Sequence, residues 1–232
     1  MALRMVAISF DAHDPAGLAV FWAGVLGREI VVEATGALLL GDDIQVGLRF
    51  VEAATERSGP NRLHLHLTSS TLEDQRHTVE TALQLGGRHI DVGQLPEEGH
   101  VVLADPGGNE FCVIEPGNNF LAGCGFLGEV ACAGTREVGL FLARRTRVAA
   151  RVGPRRGDRC PVPPGRYQSL TGGGPPVAPK SGRNRQRLDL ATPDVAAEVE
   201  RLIALGAAEL GDRDGGVELA DPDGNEFSVN PG

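Results

Sequence analysis

His64 and His66 are the residues of this sequence whose types and spacing are most suited to chemistry. They alternate with leucines over residues 63–68, a pattern that predicts a β-strand with both imidazoles on one face. Cys112 lies in a second predicted strand, residues 110–114. Imidazole and thiol groups can bind a metal ion, exchange protons, or together attack a carbon centre. The first hypothesis is therefore a polar site shared by these two strands.

Each of these residues also has a plain structural interpretation. Two histidines without a neighbouring carboxylate bind a metal weakly, so a pair that lines a pocket is favoured over a metal pair. Cys112 is favoured as a small apolar filler, the usual role of a buried cysteine, over a nucleophile paired with His64 or His66. Trp22 is favoured as a core residue of a predicted helix, with stacking on a ligand as the alternative.

Two more polar residues are candidates for ligand contact. Arg49 alternates with apolar residues in the predicted strand 44–51, so it can meet an anionic ligand or lie at a solvated edge. Ser9 lies in the opening strand on the same face as Ala7 and Asp11, opposite an apolar face. Together with Trp22 and the three residues above, these form the predicted ligand-binding set.

The elements that must position these side chains occur twice. The sequence DPGGNEF at residues 105–111 recurs as DPDGNEF at 221–227, and a predicted helix ending in a Leu-Gly pair precedes each copy. Matching segments also begin at Ser58 and Ser181. Three matched segments in the same order predict two tandem copies of one structural unit.

The first copy itself divides into two similar halves. An opening strand is followed by a helix that Asp14 should cap, that Pro15 should begin and that Gly27 should end. Three short strands follow, and the order of one strand, one helix and three strands then repeats up to residue 114. The predicted fold class is α+β.

This pattern resembles the vicinal oxygen chelate superfamily of glyoxalases, bleomycin-resistance proteins and extradiol dioxygenases, in its glyoxalase-like branch. The resemblance rests on Asp14-Pro15, Phe21-Trp22 and Val25-Leu26-Gly27 in the first helix and on the two Asp-Pro-x-Gly-Asn turns. It implies tandem βαβββ modules whose sheets form cups, or half-barrels, with one domain at 1–117 and another at 122–232.

The resemblance also implies a divalent metal on the concave face of such a cup. The matching ligand positions, three in each domain, hold Ala7, His64 and Cys112, then Leu127, Arg187 and Ser228. Only His64 is an ordinary metal ligand, so no cofactor and no metal are expected, with His64 as a weak candidate ligand. A shift of two residues in the match would put Ser9 or Asp11 in place of Ala7.

The composition bears on nucleic-acid binding, membrane insertion and cellular compartment. The net charge of −9 over 232 residues argues against a nucleic-acid partner, and no apolar run is long enough to span a bilayer. The four cysteines show no Cys-x-x-Cys spacing, and the start of the chain lacks a secretory layout, so a cytoplasmic protein with reduced thiols is expected.

One segment does not fit the repeat. Residues 142–173 are rich in arginine, proline and glycine where the unit should supply a helix and three strands. The favoured hypothesis is a pair of compensating frame changes over 142–171. A genuine disordered insertion is one alternative, and a basic loop for an acidic partner is another.

The leading functional expectation is a protein that binds a small organic molecule in the first domain's cup without a metal centre, as a sequestering or carrier protein of the bleomycin-resistance kind. The alternative is a metal-dependent lyase, isomerase or dioxygenase of the glyoxalase type, so whether the chain is an enzyme is left open. A duplicated domain that serves only for dimerisation, as in a homodimer, is the third interpretation.

Overall fold

The structure is a computed structural model that describes residues 3–42, 45–54, 59–95, 97–133, 135, 149–152, 169–172, 180–213 and 215–232. The expectation of frame changes over 142–171 lies outside the described residues, apart from the backbone of two short strands. Over residues 3–133 and 180–232 the described elements follow the order expected from the repeat.

The first half of the chain contains two complete units. Their elements are β1 (Arg4–Ala12), α1 (Pro15–Leu26), β2 (Ile30–Glu33), β3 (Gly36–Leu39), β4 (Gly47–Glu52), β5 (Leu63–Leu67), α2 (Leu72–Gln84), β6 (Arg88–His89), β7 (Val101–Ala104) and β8 (Glu110–Val113). The second half contains β9 (Leu127–Cys132), β10 (Ala149–Val152), β11 (Ser169–Gly172), β12 (Gln186–Thr192), α3 (Val195–Ile203), β13 (Ala208–Arg213), β14 (Gly216–Ala220) and β15 (Glu226–Pro231). The α+β class is confirmed.

The limits of α1 are those that the sequence predicts. The Asp14 carboxylate accepts a hydrogen bond of 2.9 Å from the Gly17 amide, which has no partner within the helix. Pro15 opens the helix, where its missing N–H costs nothing. Gly27 ends it with a φ of 64°, a left-handed conformation that glycine adopts without a steric penalty.

The repeated Asp-Pro-x-Gly-Asn turn has the same hydrogen bonds in both halves. The amide of Asn109 donates to the Asp105 carboxylate over 2.8 Å, and that of Asn225 donates to Asp221 over 2.8 Å. Each aspartate amide donates in return to the asparagine carbonyl. These closed pairs explain why Asp and Asn recur at this spacing.

The two sheets are built between the halves of the chain. One has eight strands in the order β13-β14-β15-β12-β1-β4-β3-β2, and the other has seven in the order β10-β11-β9-β5-β8-β7-β6. The first unit therefore shares a sheet with the last, through antiparallel β1 and β12, and the second unit shares one with the third, through β5 and β9. The expectation that each half forms its own cup is corrected by this pairing.

Two arginines at matched positions of the repeat join the halves further. Arg62 donates over 2.8 Å to the side chain of Asn225, and Arg185 donates over 2.5 Å to that of Asn109. Each arginine thus holds the turn of the opposite half. This exchange accounts for the repeated segment in which Arg62 and Arg185 lie.

The hydrophobic core lies around α1 and contacts both sheets. Trp22 of α1 packs against Phe10 of β1, with ring centroids 6.3 Å apart, and against Phe111 of β8, at 5.0 Å. Since Phe10 and Phe111 point toward the helices, their neighbours in each strand point the other way. We call that other side of each sheet its open face.

Candidate functional site

Three polar side chains form a row across the open face of the seven-stranded sheet. In the strand registers His66 on β5 is the partner of Cys112 on β8 and of Glu129 on β9. Directly paired residues of adjacent strands project on the same side of a sheet and lie close together. The three strands β9, β5 and β8 therefore bring a carboxylate, an imidazole and a thiol side by side.

The centre of this row is a hydrogen-bonded pair. His66 Nδ1 lies 2.6 Å from Glu129 Oε2, and Glu129 is only 3% exposed. Burial alone would lower the pKa of His66, but hydrogen bonds with Cys112 and Glu129 and the nearby negative charge outweigh it and raise the pKa to about 10. At neutral pH His66 is therefore an imidazolium that faces both a carboxylate and a thiol.

A cleft of about 460 Å³ adjoins the row on the side of β6 and β7. Val102 contributes to its lining and is the register partner of Cys112. The cleft is lined by His89, Ile90, Asp91, Gln94, His100, Val101 and Val102. This mixture of aliphatic and hydrogen-bonding side chains is typical of sites for small organic molecules.

The open face of the eight-stranded sheet holds a different polar cluster, centred on Asp189. Its carboxylate accepts hydrogen bonds from Ser9 Oγ at 2.5 Å, from Arg49 Nη1 at 2.5 Å and from Ser228 Oγ at 2.9 Å. Arg49 also donates from Nε to Glu33 over 2.9 Å. All five side chains thus have partners within the protein.

A second ion pair lies beside that cluster, deeper in the sheet. Arg187 donates to both carboxylate oxygens of Asp11, and the two residues are 3% and 6% exposed. Glu218, with a pKa lowered despite burial by its hydrogen bond with Arg183 and by Arg213 and Arg187, closes the network. The charges on this face therefore neutralise one another.

The predicted ligand-binding residues fall in three places. His64, His66 and Cys112 lie on the seven-stranded sheet, whereas Ser9 and Arg49 lie on the other. They therefore cannot line one pocket on a single face. His64 precedes the row by two residues and pairs with Ala131 in the strand register.

The expectation that Trp22 contacts a ligand is corrected, because its side chain lies on neither open face. The side chain is fully buried, and the indole N–H donates to Asp105 over 3.0 Å. A ring packed among Phe10, Phe21 and Phe111 presents no surface to a ligand. Its core role, favoured from the sequence, is the one that the structure has.

Sequence reasoning missed Glu129 and Asp189, each of which lies two residues after a predicted position. The residues expected at the ligand positions were Ala7, His64, Leu127 and Arg187, but the rows are made by Ser9, His66, Glu129 and Asp189. A step of two keeps the same face of a strand. The alternation pattern therefore could not show that the match to the ligand positions is displaced by two residues. The alternative of Ser9 in place of Ala7 corresponds to that displacement.

A divalent metal ion requires several donor side chains grouped in one place. Within the described parts of the chain, no group of three or more His, Cys, Asp or Glu side chains is arranged to hold one. On the eight-stranded sheet the Arg49 guanidinium bonded to Asp189 puts a positive charge where the ion would lie. On the other sheet, His66 Nδ1 already lies 2.6 Å from Glu129 Oε2. The donors on the eight-stranded sheet therefore do not fit such an ion.

The sequence model of the glyoxalase-like domain matches residues 7–114 and 130–230. Glyoxalase I from Zea mays is similar in structure, with a TM-score of 0.63 at 13% identity over 98% of this chain and 92% of that one. A putative dioxygenase from Bacillus subtilis gives 0.58 at 15% identity, over 98% and 84%. These likenesses concern the fold alone.

No protein of curated function matches the sequence. Among the described residues no helix is long and apolar enough to cross a membrane. The family match spans nearly the whole chain in two successive segments, and both sheets are assembled from the same repeated unit. The chain belongs to the glyoxalase-like domain family of the vicinal oxygen chelate superfamily and carries two tandem copies of that domain.

Proposed function

We propose that the protein binds a small organic molecule on the open face of the seven-stranded sheet, without a metal centre. The observation that carries this proposal is the cleft of about 460 Å³ beside the row of His66, Cys112 and Glu129. A volume of this size suits a compound of drug-like dimensions. The role is sequestration or carriage, as expected from the sequence.

The eight-stranded sheet is the less suitable face. Its central carboxylate, Asp189, already accepts three hydrogen bonds, and the Arg187 guanidinium is engaged by Asp11. A ligand would have to break these contacts and compete with charge-assisted bonds. No ion pair among the described residues involves the side chains that line the cleft beside Val102.

The cleft also indicates the kind of ligand. Ile90 offers apolar contact, while the His100 ring offers a hydrogen bond. These groups favour a compound with an apolar or aromatic body and one or two polar substituents. The net charge of −9 further favours a neutral or cationic compound over a polyanion.

The test is thermal unfolding of the purified chain against a panel of small aromatic and heteroaromatic compounds, with and without a chelator. A ligand present at about 100 times its Kd stabilises the folded state by about 2.7 kcal/mol. We expect stabilisation that persists in chelator, is weakened by Val102→Trp, which fills the cleft, and is unchanged in the matched control Leu38→Trp on the other sheet.

Metal analysis of the same samples distinguishes metal-free binding from the alternative of a metal-dependent enzyme. Stoichiometric Zn, Fe, Ni or Mn that is lost in His64→Ala would overturn the binding proposal in favour of a metal-dependent lyase, isomerase or dioxygenase. Stabilisation that survives the chelator but is equal in Val102→Trp would show that the ligand binds elsewhere.

A further inference from the structure

We propose that Cys112 is a nucleophile for small carbon electrophiles that enter the cleft, with His66 as its proton donor and Glu129 as the residue that positions His66. The inference uses the same open face as the proposed ligand site and rests on that function only for access of the electrophile. It assigns a reaction class to a row of side chains that the binding proposal leaves unused.

The first support is the register of three adjacent strands. Cys112 and His66 are direct partners in the parallel pair of β8 and β5, and His66 and Glu129 are direct partners in the antiparallel pair of β5 and β9. The thiol and the imidazole therefore lie side by side on one face of the sheet. A nucleophile, a histidine beside it and a third group that orients the histidine form the general arrangement of an activated side-chain nucleophile.

The second support is charge. Glu129 is buried and lies 2.6 Å from Nδ1 of His66, so its carboxylate fixes which ring nitrogen faces it and favours the imidazolium. An imidazolium beside the sulfur can donate a proton to the carbon that becomes basic once the sulfur has added. The row thus supplies both the sulfur nucleophile and the proton needed later in the reaction.

The third support is the contrast with the other described cysteines. Cys132 is buried in the core, where burial and the negative charges of Asp221 and Glu129 raise the pKa of its thiol. Cys124 is half-buried in the turn before β9. Of the three thiols in the described part of the chain, Cys112 is half-buried and has a histidine–carboxylate pair beside it.

The proposed step is the addition of the Cys112 thiol to an α,β-unsaturated carbonyl compound. The Cys112 thiol releases its proton to solvent, the sulfur forms a bond to the β-carbon, and the electrons of the C=C bond move to the α-carbon as an enolate. The enolate then takes a proton from the His66 imidazolium, which regains one from solvent. The net reaction adds S–H across the double bond and requires no oxidant, reductant or other reactant.

The experiment is labelling of the full chain with acrylamide at pH 7, with the rate at each cysteine followed by peptide mass spectrometry. We expect Cys112 to react about tenfold or more faster than Cys124, because a positioned proton donor accelerates the addition. Equal rates at the two cysteines would overturn the proposal. This comparison needs no variant and so does not depend on the folding of one.

Variants then test the roles of the two partners. In Glu129→Gln and His66→Gln we expect Cys112 to lose most of its advantage while the rate at Cys124 stays the same, and Glu129→Asp should restore part of it by returning the carboxylate. The exposed His77→Gln is the matched control and should change neither rate. A Cys112 rate that is unaffected by all three partner variants would exclude the assigned roles.

Failure here is distinguishable from failure of the binding proposal. Ligand stabilisation that persists in Cys112→Ser, together with equal labelling of Cys112 and Cys124, would remove the nucleophile and retain the binding function. Fast, partner-dependent labelling of Cys112 without any ligand that stabilises the chain would retain the nucleophile and remove the carrier role.

Discussion

Arg187 donates two hydrogen bonds to Asp11, from Nη1 to Oδ2 and from Nη2 to Oδ1, each over 2.7 Å. The two residues are 176 positions apart and both are buried. Their strands, β12 and β1, belong to opposite halves of the chain and pair at the centre of the eight-stranded sheet. This bidentate contact therefore exists only when the first unit shares a sheet with the last.

Breaking the pair on one side should be costly. We expect Arg187→Met to lower the free energy of unfolding by about 3–5 kcal/mol, because it leaves the Asp11 carboxylate buried without its partner. The double variant Asp11→Leu with Arg187→Met removes both charges and should recover much of that loss. Urea denaturation measures both.

The matched control is Arg76→Met on the exposed face of α2, where the Arg76 side chain donates a hydrogen bond to the Leu72 carbonyl of the same helix. It should change the free energy of unfolding by no more than about 0.5 kcal/mol. A double variant as unstable as Arg187→Met alone would show that the uncompensated charge is not the cause.

The turn glycines give a second prediction. Gly224 has a φ of 80° and its counterpart Gly108 a φ of 79°, in the left-handed region. We expect Gly224→Ala to lower the free energy of unfolding by about 1–2 kcal/mol, the cost of that conformation for an L-residue. Gly224→Asn should cost less, because asparagine tolerates the left-handed region, and chemical denaturation of both variants makes the comparison. Equal losses would point to a steric cause such as the nearby Lys180 side chain.

The repeat and its local signals predicted much of the fold. The caps at Asp14 and Gly27 fixed the limits of α1, and the two Asp-Pro-x-Gly-Asn turns identified the units. The partner of each unit was not predictable, since similar units present similar strand edges. The side chains that join the units include Arg62 and Arg185. Each of these two binds a residue more than 70 positions away in the sequence.

The site was predicted only in part for the same reason. His66 and Cys112 were expected on one face of neighbouring strands, which the strand register places side by side. Glu129, however, belongs to the third unit, whose register with β5 contains a bulge between His66 and Leu67. Local periodicity carries no information on such a shift between distant strands.

Trp22 and Asp105 give a prediction about pH. Asp105 is fully buried, and burial raises the pKa of its carboxyl group above the ordinary 3.8 despite hydrogen bonds from Asn109 and Trp22. A raised folded-state pKa means that the protonated form favours folding, so this contribution is present below about 3.8 and is lost as pH rises through the folded-state pKa. Asp105→Asn lacks this titration.

The measurement is the difference in unfolding free energy between the original chain and Asp105→Asn, followed by Trp22 fluorescence from pH 7 to pH 4. The difference should shift in favour of the original chain as the pH falls. Asp14→Asn, an exposed cap, serves as the control for general effects of acid. A difference that moves the opposite way would mean that hydrogen bonds outweigh burial at Asp105.

The last prediction concerns His66 and applies at neutral to alkaline pH. Its pKa in the folded chain is about 10 against 6.5 for the free side chain. The stabilisation from this imidazolium is therefore fully present below about pH 6.5 and is lost as pH rises toward 10. Between pH 7 and pH 10, the unfolding free energy of the original chain should fall toward that of His66→Gln. Glu129→Gln removes the main carboxylate partner, so in that variant the loss should occur at lower pH.

NMR titration of the imidazole ring gives the direct reading. His66 should remain protonated at pH 8, well above the 6.5 at which a free imidazole titrates. If His66 instead titrates near the free value of 6.5, the carboxylate and thiol beside it do not hold the charge. The open face of the seven-stranded sheet would then present a neutral imidazole, and the proton that the proposed addition requires would have to come from solvent.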